Sequence, residues 1–221
     1  MSSFKAVIFD RDGVLVDTES IYANAYNETL RHFGSPYVYT HDRRNSEAGI
    51  PTLEVMARLK EELGLLNSIE ELAAYYRTIY RNTFENEGVQ LFDGVVAFIK
   101  SLQNNDIKIA IGTGSSHQNN EIVLQSTGLG EYFSVIVSAD DVAKGKPDPE
   151  TFVTAANLLG VEPLECIVIG DSDNDRLGAK NGGMKFVMIA SNKSGNDYPD
   201  NPPDLIVHSI KDLSFEILNN L

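Results

Sequence analysis

The sequence predicts an α/β fold: a parallel sheet with helices on both faces, interrupted by an inserted block of helices. Three observations predict it. From Leu91 onward, short apolar runs alternate with helical patterns. Those runs are apolar almost without interruption, as strands covered on both faces must be. Between the first such run, at Lys5 to Phe9, and Leu91 the periodicity is helical and strand-free.

The elements follow in order. Ala6 to Phe9, led by Lys5, is the first strand, and Asp10, Asp12 and Gly13 come directly after it. Carboxylates at the apolar end of a strand are costly unless a cation or a partner group compensates them. Thr18 is placed to cap the next helix, with Glu19 in its first turn. Ile21, Tyr22, Ala25, Tyr26 and Leu30 form its apolar stripe, and Phe33-Gly34-Ser35-Pro36 stops it. A polar link from His41 to Ala48 carries Arg43 and Arg44. A second helix opens at Gly49-Ile50-Pro51-Thr52, turns Val55, Met56, Leu59 and Leu63 inward, and ends at Gly64. A third runs from Glu70 to Phe84, with Tyr75, Tyr76 and Tyr80 expected in its core. The resulting division is an α/β core of residues 1–16 and 87–221 and a helical domain of residues 17–86.

The α/β part continues with a helix over Asp93 to Leu102 and a strand over Lys108 to Gly112. Thr113-Gly114-Ser115-Ser116 leads into a helix reaching about Gln125. Tyr132 to Ser138 reads as a strand, Pro149 to Leu159 as a helix closed by Gly160, and Cys166 to Gly170 as a strand ending on Asp171. A further helix stops at Gly182-Gly183. Lys185 to Ile189 and Asp204 to Val207 are the last strands, and a C-terminal helix starts near Ile210. Ser191 to Pro203 is a surface loop by composition.

The bulk numbers narrow the function. In 221 residues, 42% hydrophobic and 23% charged, 32 acidic residues outweigh 18 basic ones for a net charge of −14. With no basic block to offset it, this balance argues against nucleic acid and anionic membranes as partners. The first apolar run is too short for a signal peptide, and nothing later approaches membrane-spanning length. A single cysteine, Cys166, sits in an apolar run as a small core residue. A cytoplasmic location and a monomer are the expectations. Asn27-Glu28-Thr29 and Asn192-Lys193-Ser194 match the glycosylation sequon by chance.

In open parallel sheets, ligands bind beyond the carboxyl ends of the strands. There the sequence places Asp10 and Asp12, then Thr113, then Lys146 ahead of Pro147, then Asp171, Asp173 and Asp175. Carboxylates gathered in one crevice repel each other unless a hard cation sits among them, and oxygen donors plus water suit Mg2+. A cation, a lysine, a hydroxyl and the backbone N–H groups of Thr113-Gly114-Ser115-Ser116 can hold a phosphate. One aspartate can then attack phosphorus in line while a second moves the proton. Two competing patterns fail. Asp171-Asp173-Asp175 imitates the start of an EF-hand, but Arg176 stands where glycine is needed and Gly182 where the glutamate belongs. Gly112-Thr113-Gly114 lacks the third glycine of a dinucleotide fingerprint.

Asp10-Arg11-Asp12-Gly13-Val14-Leu15, Thr113 after KIAIG, Lys146 before Pro147, and Gly170-Asp171-Ser172-Asp173-Asn174-Asp175 together resemble the four motifs of the haloacid dehalogenase-like superfamily. Order, spacing and strand context agree across nearly the whole chain. The helical block is similar to the cap that one subgroup, including small-metabolite phosphatases and β-phosphoglucomutase, inserts after the first motif. The resemblance implies a Rossmann-like core and a Mg2+-dependent phosphatase acting on a small phosphorylated metabolite, such as a sugar or polyol phosphate. It implies Asp10 as the nucleophile that forms an aspartyl phosphate and as one of the residues on the metal. Asp12 becomes the general acid and base, with its backbone carbonyl on the metal. Thr113, Gly114 and Lys146 hold the phosphoryl oxygens. Asp171 is a direct metal ligand, and Asp175 orients metal-bound water or Lys146. The alternatives are a phosphomutase of the β-phosphoglucomutase type and a non-enzymatic metal- or phosphate-binding regulatory module. One departure stands out: Arg11 occupies a position that is usually apolar in the family, where it can pair with carboxylates of the site or the cap. Arg43, Arg44 and the Gly49 turn lie where a cap would select substrate. His117 follows the phosphate-binding turn and reads as a solvated helix position.

Overall fold

A computed structural model describes residues 3–40, 43, 47, 50–190, 198 and 200–221. A six-stranded parallel sheet runs in the order β5-β4-β1-β6-β7-β8, with β1 Ala6–Phe9, β4 Lys108–Gly112, β5 Ile136–Val137, β6 Cys166–Gly170, β7 Lys185–Ile189 and β8 Leu205–Val207. β1 is central, with Phe9 beside Ile111 of β4 on one side and Ile169 of β6 on the other. The chain builds outward from β1 through β4 to β5, then crosses back to β6. The crevice at that reversal lies beyond the ends of β1, β4 and β6.

Strand alternation sorts the core into two faces. Val7, Phe9, Ile111 and Ile169 join one cluster; Ala6, Ile8, Ala110 and Val168 join the other. The first is covered by α4 Val95–Asn104 and α8 Phe215–Asn219 through Phe98, Ile99 and Leu218, with α5 His117–Thr127 adding Val123. The second is covered by α6 Glu150–Leu159 and α7 Asp173–Asn181 through Phe152, Ala155 and Ala179. Phe9 meets Phe98 and Phe133 edge-on, at 6.1 and 5.9 Å between centroids. Burying each side chain of this size contributes roughly 1.5–3 kcal/mol, which fixes β1 and the position of Asp10 at its end.

Helices α1 Glu19–His32, α2 Thr52–Leu63 and α3 Ile69–Glu87 pack between β1 and β4 in sequence around a tyrosine cluster. Tyr26 stacks on Tyr39 at 4.3 Å, Tyr22 lies 5.0 Å from Tyr80, and both Tyr76 and Tyr80 are buried. Tyr75 is only half-buried and stacks on His32. Gly64, in the left-handed conformation, ends α2, and a Ser68–Glu71 capping box starts α3.

Several expectations are corrected. Thr18 precedes α1 but makes no cap hydrogen bond, because its hydroxyl is drawn to Asp12. The strand expected over Tyr132 to Ser138 is regular only at Ile136–Val137. The turn ahead of it is 3-10, and the Ser138 hydroxyl is bonded to Asp141. The helix expected over Asp93 to Leu102 runs instead over Val95–Asn104 with Gly94 ahead of it, and Asp93 pairs with Lys211. The C-terminal helix is split into a 3-10 turn at Ile210–Asp212 and α8. A two-stranded antiparallel pair, β2 Val16–Asp17 with β3 Gln90–Leu91, has no counterpart in the sequence patterns. Among the described residues no helix is long and apolar enough to cross a membrane.

Candidate active site

Each strand end delivers one piece. The Asp10 backbone N–H donates to the Ile169 carbonyl at 2.8 Å, so Asp10 stands just beyond the paired part of β1. The Thr113 N–H likewise donates to Val137 O at 2.9 Å, holding the buried Thr113 past β4. Ser116, not Thr113, caps α5, which leaves the Thr113 hydroxyl to the turn, where Ser115 N–H donates to it. Asp171 follows β6, and α7 begins with a Ser172–Asp175 capping box. All seven candidates, Asp10, Asp12, Thr113, Gly114, Lys146, Asp171 and Asp175, line one cleft.

Lys146 ties the deepest part together. Its Nζ donates to Asp10 Oδ1 at 2.8 Å and to Asp175 Oδ1 at 2.6 Å. Its side chain is only 4% exposed. Lys144 is exposed and makes no comparable approach. Asp175 divides its oxygens: Oδ1 goes to Lys146, while Oδ2 accepts from the Ser172 hydroxyl and N–H. Oxygens of Asp10, Asp171 and Asp175 lie within 4.8 Å of one another. Close approach is enforced by two glycines. A Cβ on Gly13, whose φ is +78°, would fall 2.4 Å from Asp171 Oδ2, and one on Gly170 would fall 2.5 Å from the Asp175 Cβ.

Three carboxylates against one ammonium leave this group with excess negative charge. Burial pushes the Asp10 carboxyl up to about 7; Lys146 opposes the rise, and Asp175 and Asp12 add to it. For Lys146, burial works to lower the pKa and is outweighed by Asp10 and Asp175, which hold it above the usual lysine range. Hard oxygen donors at this spacing with uncompensated charge fit a divalent cation of the Mg2+ class.

Asp12 has different company. Arg11, fully buried, clamps it: Nη2 donates to Oδ2 at 2.8 Å and to Oδ1 at 3.1 Å, and Nε donates to Oδ1 at 3.3 Å. Thr18 donates to Oδ1 at 2.7 Å and Ser115 to Oδ2 at 3.1 Å, with Tyr22 at 3.3 Å. Arg11 reaches on to Asn120 of α5 and Ser115. The expectation that Arg11 pairs with a site carboxylate is met, and the partner is its own neighbour. The sequence reads Thr18 as a helix cap, Tyr22 as part of an apolar stripe and Ser115 as part of the phosphate-binding turn, and none of them, nor Asn120, as a partner of Arg11 or Asp12. Only the hydroxyl of Ser115, inside the Thr113-Gly114-Ser115-Ser116 turn, gave a usable signal.

The remaining residues fall outside the cluster. Asp173 is 62% exposed on its side chain and pairs with Arg176. His117 is exposed and turns to Asp141 at 2.9 Å. Arg43 is bonded to Glu47 and Glu62. Arg44, Gly49, His41 and the Asn192-Lys193-Ser194 sequon lie outside the described residues. Cys166 is buried, and burial raises its thiol to about 11.

A sheet whose strand ends bring carboxylates and a lysine to one switch point defines a class, and residues 7–189 match the model of the haloacid dehalogenase-like hydrolases: the chain belongs to that family. Among relatives, it is 32% identical over 210 residues to pyrophosphatase PpaX of Halalkalibacterium halodurans, covering 94% of each chain. It is 34% identical to the phosphorylated carbohydrates phosphatase of Thermotoga maritima, over 83% of each. Among solved structures, β-phosphoglucomutase of Clostridium difficile superposes with a TM-score of 0.82 at 24% identity, covering 98% of this chain and 96% of that one, which is a likeness of fold.

Proposed function

We propose that this protein is a Mg2+-dependent phosphatase that hydrolyses a small phosphorylated metabolite through an aspartyl phosphate on Asp10. The observation that carries the reading is Lys146, bonded to both Asp10 and Asp175, beside Asp171 in a cleft that also holds Thr113. Relatives named for pyrophosphate and for phosphorylated carbohydrates support the substrate class. Asp10 and Asp171, with the Asp12 carbonyl, would hold the ion, and Asp175 would stand behind them. Bound there, Mg2+ would neutralise phosphoryl charge. Asp10 attacks phosphorus, Lys146 and the Thr113–Gly114 turn hold the phosphoryl oxygens, and Asp12 moves the proton of the leaving group and of the attacking water. Residues 17–86 act as a cap whose tyrosine-lined face closes over the cleft and excludes water.

A panel of phosphate esters and anhydrides, read by free phosphate and by sugar isomerisation, tests this. Phosphate release is expected. Isomerised product without phosphate loss would instead make the protein a mutase. Asp10→Asn should keep the fold, by circular dichroism, and cut kcat by about 10^4-fold or more. Retained turnover would remove Asp10 from its role.

A further inference from the structure

Arg11, buried behind the cleft wall at Asp12, is the least expected residue near the site, and it has one consequence for chemistry. It is fully buried, so no water can replace a lost partner. Its fork is spent on Asp12, with the remaining reach going to Asn120 and Ser115. The Asp12 side chain is 15% exposed, but withdrawing it would leave the buried Arg11 charge uncompensated, which is unfavourable. The Asp12 carboxylate is therefore fastened toward α1, where Thr18 and Tyr22 add their hydrogen bonds. To serve a leaving group in the cleft, it has to leave that cage.

We propose that Arg11 is a positioning residue that sets leaving-group specificity. By holding Asp12 in its cage, it restricts efficient phosphoryl transfer to Asp10 to substrates whose leaving oxygen departs without a proton, as in phosphoanhydrides and aryl phosphates, and disfavours alkyl phosphates. This rests on the phosphatase reading above. In the first step an Asp10 oxygen bonds to phosphorus as the bond from phosphorus to the leaving oxygen breaks, and the electron pair stays on that oxygen. A phosphate or phenolate leaves as a stable anion. An alkoxide must gain a proton as it leaves; Asp12 is the donor, and it must first leave the cage and take up a proton from solvent, which it gives to the leaving oxygen and recovers from water in the second step. In the second step a water oxygen bonds to phosphorus, the Asp10–phosphorus bond breaks, and the water proton passes to a carboxylate oxygen of Asp12. That step is common to all substrates, so discrimination falls on the first.

The test uses kcat/KM, which reports steps up to departure of the leaving group. Inorganic pyrophosphate, glycerol phosphate and a series of substituted phenyl phosphates of similar shape are compared on the full-length protein with Mg2+. In the wild type, kcat/KM should fall steeply as the phenol becomes less acidic, and glycerol phosphate should be at least 100-fold poorer than pyrophosphate. Arg11→Leu should flatten the series and raise kcat/KM on glycerol phosphate at least tenfold relative to pyrophosphate, with Arg11→Lys between. A shallow series in the wild type overturns the proposal, whether or not the variants fold, and leaves the phosphatase reading standing. A folded Arg11→Leu with the wild-type slope overturns it equally. No phosphate from any substrate would instead sink the function proposed above.

Discussion

Two sets of polar side chains meet in the cleft, and they are built in opposite ways. Asp10 and Asp171 at strand ends, Lys146 in the loop after β5 and Asp175 in the first turn of α7 carry three carboxylates against one amine. Arg11, Asp12, Thr18, Tyr22 and Ser115 bridge the sheet and the inserted helices and balance one guanidinium against one carboxylate. An unbalanced set calls for a cation and for an anionic substrate held on it. A balanced set closes on itself and resists change. On the function proposed above, binding and attack fall to the first and control of proton movement to the second.

The largest expected effect falls on the lysine that holds the first set together. Lys146→Met leaves Asp10 and Asp175 buried without their shared partner, so stability should drop by about 3–5 kcal/mol in urea denaturation. A change under about 1 kcal/mol would mean the carboxylates are compensated elsewhere. Next comes the cation. Asp171→Asn should weaken Mg2+ binding in calorimetry by tenfold or more, while Asp173→Asn, two residues on and facing solvent, should leave it unchanged. Equal losses from both would blur the distinction between ligand and neighbour.

The smallest effect is one of pH. Asp10 binds its proton more tightly in the folded chain, about 7 against an ordinary 3.8. Its contribution to stability is therefore full below the ordinary value and is lost as the pH rises through about 7. In chelator, the melting temperature should fall by a few degrees as the pH rises from about 4 to about 7, and added Mg2+ should reduce that fall. A rise over the same range would place the Asp10 charge in a compensated site.

The same division explains what was legible beforehand. Parallel strands bring their carboxyl ends to one edge, so Asp10, Thr113 and Asp171 could be placed together from strand patterns alone. Lys146 followed from its position after β5. The second set depends on contacts that no local pattern encodes. Ser115 and Asn120 reach back across more than a hundred residues to Arg11 and Asp12, and Thr18 exchanges a helix-capping role for a carboxylate. β2 and β3, two residues each, are too short for any periodicity to show.

The central claim is that Asp10 takes up phosphorus while the strand-end oxygens hold the ion. Mass spectrometry of a reaction quenched in acid during turnover, with Mg2+ and the best substrate of the panel, tests it directly. The account predicts a phosphoryl group on Asp10, absent in chelator. Turnover with phosphorus on another residue would contradict it.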